Sequence, residues 1–478
     1  MIKREFVYPA ILLGVGLIAY FVAELEPIQI TSLTVFTGLI SGTLLYWRFR
    51  LAFALAGIAT LMIFGLLTTE TLIEFAGFDI ILFLVGMMIV IGYLEDRHFF
   101  EYLLEKILKG VGNNPMRLVV ILMLMSAMFA ALVDEVTSIL FMTATVLHLT
   151  SKLKVIPVPF VIIIVFATNI GSSATVVGNP VGVLIALRAD LSFIDFLRWA
   201  TPVSLVGLGI AIPLSLWYFS KDIRRLGEAI RAPMATNNNA RDRVAAIADE
   251  GSTATIQMTD VPRKSVKLPW ILFLGTIAGL VVHGPVEEVL GLEKNVMLLG
   301  TALAAASVTL FINRARAKDL VERRVDWWTL SFFIFLFASV GTLQLTGITS
   351  LIASGLYDIS GGEESTLFLV FTSTAGILSA LMDNILGVAT FIPIVNDMQE
   401  LGVYNYPLWW GLLFAGTFFG NLTFIGSTAN IVAIGMLERQ KHAHIELSQW
   451  IKPGALVSIP TLLIAMLLIY LQIPLMPR

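Results

Sequence analysis

Three carboxylic acids lie in otherwise apolar stretches of the sequence, where an acidic side chain is costly unless it does chemistry. Asp134 and Glu135 follow "SAMFAALV", Asp383 follows "SALM", and no Lys or Arg is close to either segment along the chain. Burial disfavours the ionised carboxyl, so such a group takes up a proton or binds a cation. We predict that these three acids bind the coupling ion or exchange protons. Thr137 and Asn384 are the predicted neutral ligands beside them. For the adjacent pair, the alternative is a turn that reaches water or caps the following helix.

Two stretches rich in Asn, Gly and small polar residues interrupt apolar runs of membrane length, "ATNIGSSATVVGNP" (167–180) and "GNLTFIGSTANI" (420–431). An unpaired amide inside a bilayer costs several kcal/mol, so unwound backbone is tolerated there only where it lines a site. We predict a broken helix at each place. The alternative is that small residues only allow close helix packing. The predicted ligands of ion or substrate are Asn169, Gly171, Ser172, Ser173, Thr175, Asn179, Asn421, Thr423, Ser427, Thr428 and Asn430. A bound sodium ion is predicted to contact Asp134, Asn169, Asp383 and Asn421.

The composition is that of an integral membrane protein. Of 478 residues, 57% are hydrophobic and 14% are charged, and the mean hydropathy is +0.87. Apolar runs near the length of a bilayer crossing recur without the alternation of a barrel strand, which predicts an all-α protein. The opening "MIKRE" is like the start of a signal peptide, but no cleavage site follows, so we predict a spanning helix there. There is no cysteine, which excludes thiol chemistry, and the net charge of −3 argues against a nucleic-acid partner.

Charge distribution predicts the topology. Two apolar stretches, 116–150 and 364–398, are too long for one crossing and short for two. If both are re-entrant hairpins and the N-terminus is cytoplasmic, most Lys and Arg lie inside, the C-terminus lies outside, and the location is the prokaryotic inner (plasma) membrane. The eleven predicted crossings are 6–24, 30–47, 51–68, 77–94, 157–188, 199–219, 268–283, 295–312, 327–346, 407–436 and 453–474.

The sequence repeats itself with an offset of about 250 residues. Asp134 aligns with Asp383, and Asn169 aligns with Asn421. An odd number of crossings separates each residue from its partner, so the two repeats are predicted to have inverted topology, with the site near the midplane. The predicted domains are an N-terminal repeat with an extra first helix (1–219), a polar cytoplasmic linker (220–267) and an inverted C-terminal repeat (268–478).

Other conspicuous residues are assigned to the membrane surface. The predicted interfacial anchors are Trp199, Trp409, Trp410 and Trp450. The histidines predicted to lie in loops are His98, His283, His442 and His444. No Walker A pattern, catalytic triad or metal-ligand cluster occurs, which argues against ATP-driven transport and most enzyme chemistry.

The motifs "NIGSSATVVGNP" and "GNLTFIGSTANI", with "LVDEVTS" and "LMDN" before them, resemble the ion transporter superfamily. The similarity is to the branch with arsenite permeases, D-type sodium/proton antiporters, the P protein and silicon efflux transporters. It implies a homodimer with a scaffold domain and a transport domain that moves as an elevator. In the related divalent-anion/sodium symporters, Ser-Asn-Thr tips carry substrate and sodium, and the corresponding positions here are Asp134, Glu135, Val136 and Thr137, and Asp383, Asn384 and Ile385. The branch commonly has Asp-Asn at the first tip, whereas this chain has Asp-Glu.

We therefore predict a proton-coupled secondary transporter, with no cofactor beyond the coupling ion, proton or sodium. The simplest version is sodium/proton antiport, followed by efflux of a neutral metalloid acid such as arsenite or silicic acid. Uptake of an organic or inorganic anion is a further alternative. Three carboxylates without a basic partner make a di- or tricarboxylate an unfavourable guest. The alternative outside transport is a channel-like sensor or receptor.

Overall fold

The fold is known from a computed structural model that describes residues 4–108, 112–232, 267–439 and 445–477. Throughout these ranges the chain is helical with short connections, and no β-strand occurs in them. This confirms the all-α prediction. Most of the predicted linker and two of the histidines, His442 and His444, lie outside the described residues.

The first half of the chain contains twelve helices within the described residues. They are α1 (Arg4–Phe21), α2 (Pro27–Leu45), α3 (Arg50–Ile63), α4 (Thr69–Phe75), α5 (Phe78–Asp96), α6 (Phe99–Leu108), α7 (Pro115–Leu132), α8 (Glu135–Leu153), α9 (Val158–Ser172), α10 (Pro180–Arg188), α11 (Phe193–Tyr218) and α12 (Ser220–Arg231).

The second half contains ten more. They are α13 (Lys267–Leu290), α14 (Val296–Ile312), α15 (Ala317–Arg324), α16 (Trp327–Leu345), α17 (Ile348–Ile359), α18 (Glu364–Leu381), α19 (Asn384–Glu400), α20 (Tyr406–Thr417), α21 (Thr428–Arg439) and α22 (Leu447–Gln472).

Nine of the described helices are long and apolar enough to cross a bilayer, and a tenth crossing results if α14 and α15 are counted as one bent span. Six of the nine fall on predicted crossings, and the other three, α7, α8 and α18, lie in the two stretches predicted to be re-entrant hairpins. These three arms are long enough to cross a bilayer, so the re-entrant character of the hairpins stays a prediction. The predicted crossings 157–188 and 407–436 are each divided into two shorter helices. Both predicted helix breaks are therefore present, after Ser172 and after Thr417.

Each predicted hairpin consists of two helices that pack against each other across a two-residue turn. The arms α7 and α8 are joined at Val133 and Asp134, and the arms α18 and α19 are joined at Met382 and Asp383. The Asp134 side chain accepts a hydrogen bond of 3.0 Å from the Thr137 backbone N–H, so this acid caps α8. The alternative interpretation, that an acid of this pair caps the following helix, therefore accounts for one contact of Asp134.

Corresponding helices recur at one spacing in the two halves. The helices α5, α6, α7 and α8 begin 249 residues before α16, α17, α18 and α19, respectively. The contacts are also repeated, since α10 packs against α19 and α21 packs against α8. The second part of each broken helix thus lies against a hairpin arm from the other half. The inverted orientation of the halves stays a prediction.

The tryptophans and one histidine lie deeper than predicted. The four tryptophans, Trp199, Trp409, Trp410 and Trp450, are all buried in the protein, and the indole N–H of Trp450 donates to the Asn421 carbonyl at 3.1 Å. The prediction of interfacial anchors is wrong for them, because packing between helices outweighs the preference of indole for the membrane surface. His283 lies within α13 and is fully buried, so its assignment to a loop is also wrong.

Candidate functional site

The three predicted acids come together where the two hairpin tips meet. Glu135, at the start of α8, is fully buried and accepts a hydrogen bond from the Asn384 amide of the other tip at 3.4 Å. Ser172, the last residue of α9, donates to the second Glu135 oxygen at 3.4 Å. Glu135 also interacts electrostatically with Asp134 and Asp383. Glu135 thus has both aspartates within electrostatic range, and we call Asp134, Glu135 and Asp383 the acidic cluster.

Asp383 has an unfilled hydrogen-bonding position. The Thr428 hydroxyl donates to its Oδ2 at 2.7 Å, whereas its Oδ1 is buried without a hydrogen-bond partner. A buried carboxylate oxygen without a partner costs free energy, which a proton or a cation would recover. This oxygen is the group in the cluster most available to an ion.

One edge of the cluster is open. Asp134, Thr137 and Thr428 are half-buried, whereas Glu135 and Asn384 are completely enclosed. An ion that reaches the acids would therefore first meet Asp134 and the two threonines.

The predicted asparagine ligands bind mainly to one another. The Asn169 amide donates to the side-chain oxygens of Asn421 at 2.7 Å and Asn430 at 2.8 Å. The Asn169 oxygen accepts from Ser427 at 3.1 Å. Because these residues come from both broken helices, the network joins the two helix breaks.

Asn430 and Asn179 support the unwound backbone in each break. Asn430 donates to the carbonyls of Gly420 and Thr423 at 2.9 and 2.8 Å. Asn179 accepts from the Gly182 N–H at 2.6 Å and so caps α10, and its amide donates to Ser172 at 2.7 Å. Backbone groups freed by the breaks are thus satisfied by side chains.

Two threonines attach the breaks to the hairpins in the same way in both halves. The Thr175 hydroxyl donates to the Ala131 carbonyl, and the Thr423 hydroxyl donates to the Ala380 carbonyl at 2.5 Å. Each acceptor lies in the last turn of the first hairpin arm, close to the tip. The tips are therefore held against the broken helices.

Ser173 and Gly171 have packing contacts in the structure. Ser173 shares a hydrogen bond of 2.7 Å with Ser204 of α11. Gly171 lies directly against the backbone of Ala127 in α7, with no space for a Cβ atom. Within the described residues, neither Ser173 nor Gly171 has a side-chain hydrogen bond to the carboxyl oxygens of the three acids.

Arg50 is a functional candidate that the sequence reasoning missed. It is only 5% exposed at the start of α3, and its guanidinium lies 4.6 Å from the Trp47 ring centre and 5.2 Å from that of Phe332. It interacts electrostatically with Asp383. Arg50 is thus a basic group within electrostatic range of Asp383, although no ion pair joins the two among the described residues. It lies between the predicted crossings 30–47 and 51–68, and 333 positions separate it from Asp383.

In the described part of the chain, no group of three or more His, Asp or Glu side chains is arranged to hold a metal ion. The predicted sodium ligands fall in two adjoining clusters. Asp134 and Asp383 belong to the acidic cluster, whereas Asn169 and Asn421 belong to the amide network. Binding of sodium by these four residues stays a prediction.

Comparison with known proteins supports the resemblance seen in the motifs. The family model described as citrate transporter (CitMHS) matches residues 35–358 and 296–477. The 46 kDa membrane protein of Mycobacterium leprae is 31% identical over 82% of this chain and 85% of its own length. An uncharacterized transporter of Mycobacterium tuberculosis is 30% identical over 82% of this chain and 86% of its length. The human P protein is 24% identical over 81% of this chain and 52% of its own length.

A solved structure shows the same fold. The YdaH transporter of Alcanivorax borkumensis superimposes with a TM-score of 0.56 at 14% identity, over 88% of this chain and 89% of that one. At this identity the similarity concerns the fold alone. The family match, the relatives named transporters and the apolar helices lead to one conclusion: this chain is an integral membrane transporter that belongs to the citrate transporter (CitMHS) family, within the ion transporter superfamily.

Proposed function

We propose that this protein is a proton-coupled secondary transporter in which Asp134, Glu135 and Asp383 alternately bind protons and a cargo cation, with sodium as the simplest cargo. The observation that carries this proposal is the acidic cluster at the two tips, with one buried oxygen of Asp383 unpaired. Carboxylates held together in a low-dielectric site repel each other, so protons or a cation must neutralise them. Competition between these two kinds of positive ligand is enough to couple their movements.

Efflux of a neutral metalloid acid, such as arsenite or silicic acid, against protons is the second version of this proposal. Such a cargo would use the hydroxyl and amide groups beside the acids, including Thr137, Thr428 and Asn384. The acids would then carry only the protons.

We also propose the mechanical form of transport that the resemblance implies. Two copies of the chain form a dimer, and in each copy a domain containing the hairpins and broken helices moves as an elevator against a scaffold domain. The amide network and the threonines support this proposal, because they join hairpin tips and helix breaks into one unit.

Transport of an organic anion is the second candidate function. Two observations favour it: the family description names citrate, and Arg50 places a buried guanidinium within electrostatic reach of Asp383. Arginine binds carboxylates through paired N–H groups. The same residue would then contribute to cargo binding.

Proteoliposomes with an imposed pH gradient separate these candidates. Sodium, arsenite, silicic acid and citrate are supplied in turn, and cargo movement is followed together with internal pH. The cation proposal expects uphill sodium movement with opposite proton movement. Movement of citrate alone supports the anion candidate, and conductance without uphill accumulation of any cargo supports a channel.

Substitution of the acids tests their coupling role in the same vesicles. Asp383→Asn and Asp134→Asn are expected to abolish pH-driven sodium movement. Asp397→Asn is the matched control, because Asp397 is a buried acid on the same helix α19 but far from the tip. Unchanged transport and pH dependence in both tip variants contradicts the proposal.

A further inference from the structure

Arg50 is buried without the full set of partners that a guanidinium requires. Its Nη2 donates to the Thr329 hydroxyl at 2.5 Å, and the rings of Trp47 and Phe332 cover the group, but Nη1 is buried with no hydrogen-bond partner. Arginine keeps its charge in proteins, and a buried charge without adequate pairing costs several kcal/mol. Aromatic contacts recover only a part of this cost.

Asp383 likewise has a buried oxygen without a hydrogen-bond partner. This oxygen is Oδ1, and the carboxylate and the guanidinium of Arg50 attract each other electrostatically. Within the described residues, however, no ion pair joins the two groups directly. Two opposite charges, each with an unpaired hydrogen-bonding atom, are therefore within electrostatic range of each other without a direct contact.

Thr329 and Asp326 hold the Arg50 guanidinium away from Asp383. Thr329 accepts from Arg50 and in turn donates to the Asp326 carboxylate at 2.5 Å, and Asp326 also attracts the guanidinium. Arg50 is thus shared between an exposed acid at the start of α16 and a buried acid at a hairpin tip. A long, flexible side chain that is attracted by two acids can be drawn towards either of them.

We infer that Arg50 is a tethered counterion of Asp383, which is held at Thr329 and Asp326 in the arrangement described above and moves to this carboxylate in a second state, where it competes with the cargo cation. This inference rests on the proposed cation transport. Arg50 acts as a positioning residue, because it sets the charge of the empty site and does not contact the cargo. It competes with the cation for one oxygen, and so the cation must displace it.

This competition predicts changes in the KM for sodium that damage to the fold would not produce. Arg50→Gln removes the competitor, so the KM for sodium falls by about fivefold or more, as expected when an occluded fraction of the sites becomes available. Arg50→Lys retains a cation and returns the KM towards that of the wild type. Thr329→Val removes the anchor, releases the guanidinium to Asp383 and raises the KM. Arg48→Gln is the control, because Arg48 is exposed two residues away and its loss leaves the KM unchanged.

The experiment measures initial rates of sodium uptake against sodium concentration in proteoliposomes driven by a pH gradient, with sodium-induced thermal stabilisation of the purified protein as a second readout. A lower sodium KM in Arg50→Gln together with a higher KM in Thr329→Val supports the inference. An unchanged or higher sodium KM in Arg50→Gln overturns it while leaving sodium transport by the wild type intact. A higher KM for citrate in the same variant shows that Arg50 binds an anionic cargo, and this also overturns the inference. Absence of sodium movement and of sodium stabilisation in the wild type overturns the proposed function, and the counterion role with it.

Discussion

At the scale of single residues, the amides and the acids of the candidate site have different roles. Asn169, Asn421 and Asn430 satisfy one another and the unwound backbone, whereas Asp383 keeps a free oxygen. Amides have both donors and acceptors, so they can complete a buried network without charge. Carboxylates cannot do so without a proton or a cation. The groups that hold the site together and the groups that we propose to exchange ions are therefore chemically different.

Removal of the Asn169 side chain tests the structural role of the amides. Asn169→Ala leaves partners of three side-chain hydrogen bonds unsatisfied, and each buried orphan costs roughly 1–3 kcal/mol. We expect a large fall in the Tm of the detergent-solubilised protein, measured by differential scanning fluorimetry. Asn405→Ala, which removes one hydrogen bond to Gln399 outside the site, is the control. Equal Tm values for the two variants would contradict a structural role of the network.

At the scale of secondary-structure elements, close contact of hairpin and broken helix positions the acids. The arm α7 packs along α9, and Gly171 meets the backbone of Ala127. Gly178 similarly meets the Ser172 carbonyl, and Gly426 meets Gly420 in the other half. Glycine is required because a side chain would separate backbones that must touch. Local helix breaking and tertiary packing thus depend on the same residues.

A single methyl group at this contact is expected to displace the hairpin. Gly171→Ala places a Cβ against backbone atoms of Ala127, which cannot move as a side-chain end could, and overpacking costs typically 1–3 kcal/mol or more. Transport and Tm should both fall. Gly209→Ala on α11 has open space around its Cβ and serves as the control. Wild-type transport in Gly171→Ala would show that the contact is not needed.

At the scale of the whole molecule, two halves with one helix order supply one site. Each hairpin tip lies beside the broken helix of its own half, while α10 and α21 pack against the second hairpin arm of the other half. Neither half contains the complete acidic cluster, because Glu135 and Asp383 come from different halves. An arrangement of this kind suits alternating access if the halves are inverted in the membrane.

Cysteine labelling tests the inverted topology, and the natural absence of cysteine makes each introduced thiol unique. We expect Arg117→Cys and Ser151→Cys, at the two outer ends of the first hairpin, to react with a membrane-impermeant maleimide from the cytoplasmic side only. Glu364→Cys and Glu400→Cys, at the outer ends of the second hairpin, should react from the opposite side only. The cysteine-free parent measures background labelling in intact cells and inverted vesicles. If the two ends of one hairpin react from opposite sides, that hairpin crosses the membrane and the topology is wrong.

The sequence by itself determined the membrane class, most of the helices, the helix breaks and the acids at the two helix–helix turns, whereas the re-entrance of the hairpins stays a prediction. These features follow from hydropathy, helix breakers and isolated charges, which act over a few residues. Only the tertiary structure decided which side chains meet. Arg50 and Thr329 are 279 residues apart, and the tryptophans are buried by helices from elsewhere in the chain. The internal repeat had placed Asn169 and Asn421 at one site, but not their direct hydrogen bond. Such pairings depend on how helices pack in three dimensions, and no local pattern encodes them.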